Sequence, residues 1–396
     1  MARRRILILM SNTGSGHRAS ALALRAELKR AFDRQVRVSI IDLLSDYLPP
    51  PLRYAPNAYP FLSQDAPWMW KSLWQLDMRI AAPAMRTAAR AARHSVLRTL
   101  QAYNPDLIIS VHPLVQHLVA AASRQRFPSI PFVTVVTDLG GIHPLWFHRS
   151  VTRCYVPNDD AYQLACRSGL LPGQVRNYGL PIRPGFGDRL HQRMAIRREL
   201  GLLPEEQAVL LMGNGVKRAR VIKTARSIAR GLGAGGEGRG QLVIICGRNE
   251  RLVAELSAIS WPAPTRILGF VEEMATWMQA CDCMVTKAGP GTIAEAMASG
   301  LPLILNGYIP GQEAGNVTYV VEQGAGRYLV DPNEAAHQVT RWFTHEQAEM
   351  ELMAQRALTL ARPHATRDIV ADLGALLDMR AYSPALLADD SLSASR

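Results

Sequence analysis

The stretch SNTGSGHRAS, Ser11–Ser20, sets two glycines, a histidine and an arginine directly behind the apolar run ILILM at 6–10. Glycines straight after a strand let backbone amides approach a ligand, and the helix start that follows offers partial positive charge. The spacing is neither GxGxxG nor a Walker loop, which makes it a weak phosphate-loop signal. His17 offers a different chemistry. Positive potential at a helix N-terminus favours the neutral, basic imidazole, which suits proton transfer.

A second stretch, CDCMVTKAGPGTIAEA at 281–296 with LPLILNGYIPGQEAGN after it, carries a sharper pattern. A strand ends at Lys287, AGPG turns through Gly289 and Gly291, and Thr292 opens a helix with Glu295 in its first turn. Free amides at that helix start can hold a diphosphate, Glu295 can take a ribose diol, and Gln312 with Glu313 can read sugar hydroxyls.

Charge is the informative part of the composition. The 396 residues carry a net +12, with 22 Lys+Arg against 10 Asp+Glu up to Leu180 and 23 of each beyond it. A one-sided basic excess points to an anionic partner. Only five lysines contribute, so an arginine-rich background is part of the explanation, but a background alone would not leave the second half neutral. The five cysteines, Cys154, Cys166, Cys246, Cys281 and Cys283, show neither CxxC nor a metal-site spacing with histidine, which argues against a disulfide framework or a zinc site. The run at 6–10 is too short for a secretory core and nothing approaches a spanning segment. The expectation is a cytoplasmic protein.

The elements that must position these residues alternate. Strands are expected at 5–10, 36–41, 106–111, 131–137 and 152–156, with helices near 17–31, 77–103, 113–123 and 159–168 between them. The segment 48–70, rich in proline and aromatics, reads as a long excursion from the core. After the Pro/Gly stretch GLPIRPGFG at 179–187 a second series begins. It has strands at 207–212, 241–246, 265–268, 282–286 and 302–305, with helices near 217–232, 249–257, 271–279, 290–299, 314–323, 333–344 and 346–361. Alternation of this kind implies parallel sheets built from βαβ units. The expected architecture is α/β, two doubly wound Rossmann-like domains facing a central cleft. Residues 1–182 form the first and 183–363 the second. A helix in 364–380 is expected to return to the first, and 381–396 to be a loose tail.

Taken in order, GSGHRASA, NPDLIISVHPLVQH, FVTVVTDL, HPLWFH, GLPIRP, VIICGRN, CDCMVTKAGPGTIAEA and LPLILNGYIPGQEAGNVTYVVEQGAG resemble the plant-type monogalactosyldiacylglycerol synthases. These are family 28 glycosyltransferases, and the resemblance runs from about residue 6 to 375. It implies the GT-B fold, UDP-galactose as donor, 1,2-diacylglycerol as acceptor and inversion at the anomeric carbon. Carried over by position, it makes His17 the catalytic candidate on the acceptor side, with Asp138 beside it as a base or as the group that orients it. Phe270 would flank the uracil, Glu295 would bind ribose, and Thr292 with the amides around Gly289 and Gly291 would meet the diphosphate. Gln312, Glu313 and Asn316 would face the hexose. Displacement at an anomeric carbon needs a base at the lipid hydroxyl and stabilisation of the departing UDP, and a helix N-terminus can supply the second. CDC is not a DxD motif, so neither a metal nor another cofactor is expected.

Two stretches depart from the family pattern. LMGNGVKRARV at 211–221 keeps Gly213 and Gly215 but puts Asn214 in place of a middle glycine, followed by Lys217 and Arg218, which either draw the diphosphate or simply start a solvated helix. Gly307 stands where plant enzymes have an acidic residue. The donor sugar is therefore less fixed than the fold, with UDP-glucose or UDP-GlcNAc, or another lipophilic acceptor, as alternatives. A UDP-sugar 2-epimerase and a non-catalytic membrane-binding protein are the rivals from other classes.

Trp68, Trp70 and Trp74, followed by Arg79, Arg86, Arg90, Arg93 and Arg98, suit a membrane interface, where each basic residue near anionic lipid adds about 1 kcal/mol. Trp146 would line the lipid path. The resulting expectation is a peripheral protein on the inner face of the cell membrane, docked on an anionic surface. No nucleic-acid motif is present, so no such partner is expected.

Overall fold

A computed structural model describes residues 3–11, 15–50, 52–64, 66–74, 78–213, 215–233 and 239–379. The chain divides into two compact units, one of Met1–Asp138, Ile142–Ile182 and His364–Arg396, the other of Leu139–Gly141 and Arg183–Pro363.

The first unit contains β1 (Arg4–Met10), α1 (Ser15–Phe32), β2 (Val36–Asp42), α2 (Ala55–Gln64), α3 (Pro67–Trp74), α4 (Met78–Tyr103), β3 (Leu107–Ser110), α5 (Val115–Arg126), β4 (Phe132–Val135), β5 (Arg153–Val156), α6 (Asp159–Arg167) and β6 (Val175–Asn177). All its strand pairs are parallel, in the order β2-β1-β3-β4-β5-β6. Strand residues alternate between two faces. Leu7 and Leu9 enter a core with Ala92, Val96 and Leu100 of α4, whereas Ile6, Ile8 and Met10 enter one with Leu24 and Leu28 of α1. The order reverses at β1, so the carboxyl ends of β1 and β3 border the switch point, the usual ligand position of such sheets.

The second unit contains α7 (Arg193–Glu199), β7 (Ala208–Met212), α8 (Arg218–Leu232), β8 (Gln241–Ile245), α9 (Glu250–Ser257), β9 (Thr265–Leu268), α10 (Met274–Ala280), β10 (Cys283–Thr286), α11 (Pro290–Ala298), β11 (Leu303–Leu305), α12 (Ala314–Glu322), β12 (Gly326–Tyr328), α13 (Pro332–Thr344) and α14 (Gln347–Leu360). Its sheet runs β12-β11-β10-β7-β8-β9, again parallel. The switch point lies between β7 and β10, ahead of Gly213 and Lys287.

The last helix, α15 (Ala365–Leu376), belongs to the first unit. Ile369, Val370 and Leu373 share the α1 core, and Thr366 Oγ1 donates to the Ile182 carbonyl at 2.5 Å. Tyr155 Oη donates to Asp372 Oδ2 at 2.8 Å, which pins α15 to β5.

Four elements depart from the expected pattern. β6 and β12 are three residues each, too short to show a period of two. α7 lies between the Pro/Gly stretch at 179–187 and the strand expected at 207–212, where no element was expected, and its Arg197 is buried against Asp282. Within 48–70, read as an excursion rich in proline, the described residues include α2, with Pro56 and Pro60 inside it, and the start of α3.

Candidate active site

In the first unit the site is built at the carboxyl ends of β1, β3 and β4. His17, in the first turn of α1, is 6% exposed. Its Nδ1 lies 2.8 Å from Thr137 Oγ1, and that hydroxyl donates onward to the Val111 carbonyl at 3.4 Å. A hydroxyl spending its proton on Val111 accepts from Nδ1–H, which leaves the lone pair on Nε2. Burial lowers the His17 pKa to about 4, against a smaller opposing contribution from hydrogen bonding to Val111. The neutral, basic form therefore prevails at neutral pH. His112, at the end of β3, meets His17 edge-on with ring centroids 4.7 Å apart, and burial followed by the His17 charge holds its pKa well below 6.5.

Asp138 is buried, and its Oδ2 accepts from Trp146 Nε1 at 2.6 Å. Thr137, one residue before Asp138, is a side chain that holds His17 Nδ1, a contact the sequence did not point to. Trp146 is fully buried, 6.0 Å from the His17 ring, so it does not present itself to a membrane. The indole is committed to Asp138 and to the wall of the His17 pocket. Beside α1, a cavity of about 820 Å³ is lined by Met10, Arg18, Leu22, Arg25, Asp42 and Tyr47, among others.

Trp68 is 72% exposed on α3, and Phe61 on α2 is 56% exposed. The side chains of Trp70 and Trp74 lie outside those described, as do Gly14 and Asn214. On α4, Ala89, Ala92 and Val96 face the core while Arg86, Arg90, Arg93 and Arg98 are exposed.

In the second unit, β10 ends at Thr286 and α11 starts at Pro290, with Gly289 as N-cap and no side-chain cap. The amides of Gly291 and Thr292 at that helix start lack intrahelical acceptors. Lys287 Nζ reaches into this turn and contacts Glu313 Oε1 at 2.5 Å. A Cβ on Gly289 would stand 3.2 Å from Lys287 Nζ and 3.9 Å from both Thr292 Oγ1 and Glu313 Oε1. One on Gly215, whose φ is +74°, would stand 2.8 Å from Lys287 Cε. Glycine at both positions is what lets an ammonium sit at the switch point. Lys287 went unassigned in the sequence, although a lone lysine closing a buried strand, in a chain with five lysines, was a usable signal.

Glu295 lies one turn into α11. Burial pushes its carboxyl up to about 7, opposed by Arg183, whose Nη2 is 3.6 Å from Oε1. Phe270 is 59% exposed, with the Arg248 guanidinium 5.1 Å from its ring centroid. Gly213 is buried, its amide donating to the Ile245 carbonyl at 2.8 Å. Gln312 is half-buried. Two of the residues expected to face the hexose are tied up by the fold. Glu313 is buried between Lys287 Nζ and the Ile309 amide, which donates to Oε2 at 2.8 Å. Buried Asn316 accepts from the Gly140 amide and donates to the Ala288 carbonyl, each at 2.8 Å. Both hold backbone in place, a role that sequence spacing does not reveal.

Two other stretches near this site are singled out in the sequence. Asp282 in CDC is clamped by Arg197 at 2.5 Å, Arg193 at 3.1 Å and the Ala208 amide at 2.7 Å, so the carboxylate is fully used in the fold. Cys281 and Cys283 are buried beside it; burial pushes the Cys281 thiol up to about 12 and that of Cys283 well above its usual range. Arg218 pairs with Glu255 at 3.0 Å, while Lys217 is exposed at the start of α8.

Residues 17–182 match the model of monogalactosyldiacylglycerol (MGDG) synthase and residues 209–367 that of the glycosyltransferase family 28 C-terminal domain. Monogalactosyldiacylglycerol synthase, chloroplastic, of Spinacia oleracea is 45% identical over 385 residues, covering 96% of this chain and 74% of the relative. The chain belongs to the monogalactosyldiacylglycerol synthase family. The Arabidopsis thaliana synthase 1 is similar at 44% identity, covering 97% of this chain and 73% of its own. Among solved structures, Acinetobacter baumannii MurG superposes with a TM-score of 0.59 at 15% identity, covering 93% of this chain and 98% of its own. A putative UDP-N-acetylglucosamine 2-epimerase of Listeria monocytogenes gives 0.57 at 13%, covering 94% and 96%. These two likenesses establish the GT-B fold alone.

The family corrects one expectation. Its plant members are chloroplastic by name, which contradicts a cytoplasmic protein on the inner face of a cell membrane. Among the described residues no helix is long and apolar enough to cross a membrane, but that observation carries no address. A peripheral enzyme can dock on any bilayer whose surface suits it.

Proposed function

We propose that the chain transfers galactose from UDP-galactose to the free hydroxyl of 1,2-diacylglycerol, with inversion, to give monogalactosyldiacylglycerol. Family membership supports the reaction, and the His17 environment supports its course. Nε2 of His17, neutral and oriented from behind by Thr137, takes the proton of the lipid hydroxyl as its oxygen attacks the anomeric carbon. A positioned base of this kind contributes roughly 10²–10⁴-fold. Protonation of a site buried this deeply lasts only as long as the imidazolium needs to pass its proton on.

UDP leaves as the galactosyl bond breaks. The amides at the start of α11, the Thr292 hydroxyl and Lys287 supply positive potential for the diphosphate, so we assign that role to the chain itself and to no metal. Gly213 and Gly215 give the phosphates room, Glu295 accepts from the ribose hydroxyls, Phe270 stacks on the uracil, and Gln312 meets the galactose. Arg86, Arg90, Arg93 and Arg98 on α4, with exposed Trp68 and Phe61, form the face that meets an anionic membrane. No nucleic acid is a partner.

The observation that carries this reading is a buried, neutral histidine at the switch point of a chain in this family. The test is to incubate the protein with diacylglycerol in vesicles with and without phosphatidylglycerol, offering labelled UDP-galactose, UDP-glucose or UDP-GlcNAc separately. A galactolipid made fastest on anionic vesicles is expected. Glucolipid alone would move the donor assignment, and sugar conversion without any lipid acceptor would replace the reading by an isomerase.

A further inference from the structure

Arg183, the first residue of the second unit's main segment, extends one guanidinium to three places in that unit. Nη2 lies 3.6 Å from Glu295 Oε1 on α11. Nη1 donates to the Glu272 carbonyl at 3.1 Å, two residues beyond Phe270. Cζ sits 5.9 Å from the centroid of the Phe186 ring, which is itself buried. We propose that Arg183 is a positioning residue of the nucleoside site, holding the Glu295 carboxylate and the 270–273 loop in register so that ribose and uracil are met together. This rests on the assignment of Glu295 to the ribose.

The chemistry favours arginine here. A planar fork addresses a carboxylate and a carbonyl from separate edges while its face rests on an aromatic ring, whereas an ammonium offers only a point charge. The pair also governs which form of Glu295 is present. An ionised carboxylate accepts from both ribose hydroxyls, while the acid must spend one oxygen on its own proton. Burial disfavours the charged form and Arg183 restores it in part. The other charges on neighbouring elements are Glu272 and Glu273 before α10, Asp188 and Arg189 in the loop after Arg183, Lys287 before α11, and Glu349, Glu351 and Arg356 on α14. Arg189 is paired with Glu199, Lys287 with Glu313 and Glu349 with Arg327. Arg183 is the group that acts on Glu295 both by charge and by hydrogen bonding.

The experiment is calorimetric titration of UDP-galactose into the full chain between pH 5.5 and 8.5. UDP-galactose is used because the terminal phosphate of free UDP would itself titrate near pH 6. Wild-type affinity is expected to rise with pH, with its midpoint near 7, and to level off above about 8. In Arg183→Met the rising limb should move up by about one pH unit, so affinity falls about fivefold at pH 7 and little at pH 8.5. Arg183→Lys should return the limb towards its wild-type position. An Arg183→Met limb left where the wild type has it, even with uniformly weaker binding, overturns the proposal. Should that variant not fold, Arg183→Gln carries the same comparison. Glu295→Gln distinguishes the two levels: weaker binding with no limb upholds the ribose assignment, and wild-type binding at every pH removes it.

Discussion

Replacing His17 by glutamine tests the acceptor site through two independent readouts. The imidazole is 6% exposed, and burial takes its pKa from 6.5 to about 4. At pH 7 only about one molecule in a thousand then carries the imidazolium, so nearly every molecule holds the imidazole unprotonated. Loss of that base should lower transfer to diacylglycerol by roughly 10²–10⁴-fold, about 2.7–5.5 kcal/mol of barrier. The same shift has a sign in stability. Between pH 4 and 6.5 the unfolded chain binds a proton at this histidine and the folded chain does not, so stability rises with pH. The contribution is fully present above pH 6.5 and is lost as pH falls through 4, in total about 3 kcal/mol. Glutamine cannot titrate. Urea midpoints at pH 4.5, 5.5 and 7 should therefore fall less steeply in His17→Gln than in wild type, though His112, depressed for the same reason, keeps part of the slope. Turnover within tenfold of wild type, or an acid sensitivity equal to that of wild type, would refute the assignment of a buried neutral base.

Further predictions concern the second unit and the packing that supports the first. Lys287→Met should weaken UDP-galactose at least tenfold by calorimetry, from a lost charge-assisted contact of about 1.5–3 kcal/mol, and should lower the melting temperature by leaving Glu313 buried without its cation. Adding Glu313→Gln should recover the melting temperature but not the affinity. Asp282→Ala leaves Arg197 buried without its carboxylate and should cost about 3–5 kcal/mol in urea unfolding, with turnover per folded molecule unchanged. Gly374→Val should cost about 1–3 kcal/mol, because a Cβ there would stand 2.3 Å from the buried Phe32 ring where α15 crosses α1; an unchanged midpoint would mean that α15 does not pack there.

Strands such as ILILM and CMVT were legible because a parallel sheet covered on both faces demands unbroken apolar runs. The three-residue strands β6 and β12 have no such run, and their pairing comes from neighbouring strands. Helix α2 hid behind Pro56 and Pro60, residues that local propensity treats as breakers. His17, Thr292 and Glu295 could be placed at helix starts behind strands because strand, turn and helix start are all local in sequence. Thr137 could not, since its contact with His17 joins residues 120 apart and nothing around it distinguishes a hydroxyl that orients a base from one that fills a core. Compartment was illegible for another reason: the physics that folds two α/β units is the same on either side of an organelle boundary.

Two of the polar residues expected to face the hexose are engaged within the fold, and that bears on how a donor site here would work. Glu313 and Asn316 are buried, and each spends both ends of its side chain on the chain itself, Glu313 on Lys287 and Ile309, Asn316 on Gly140 and Ala288. A buried carboxylate is costly unless paired, and the ammonium that pairs it is the one placed beside Gly289. Glu313 thus determines where Lys287 stands, and Lys287 in turn offers a diphosphate a charge whose position is fixed before the ligand arrives. Fixed charges need no reorganisation as UDP departs, which is where such a site gains over mobile ones. If Lys287 meets the leaving group as proposed, the acidic residue in YIPGQE acts on it through that lysine, and Glu313→Gln alone should slow transfer more than it weakens binding; a loss confined to affinity would return Glu313 to the role of a simple hexose contact.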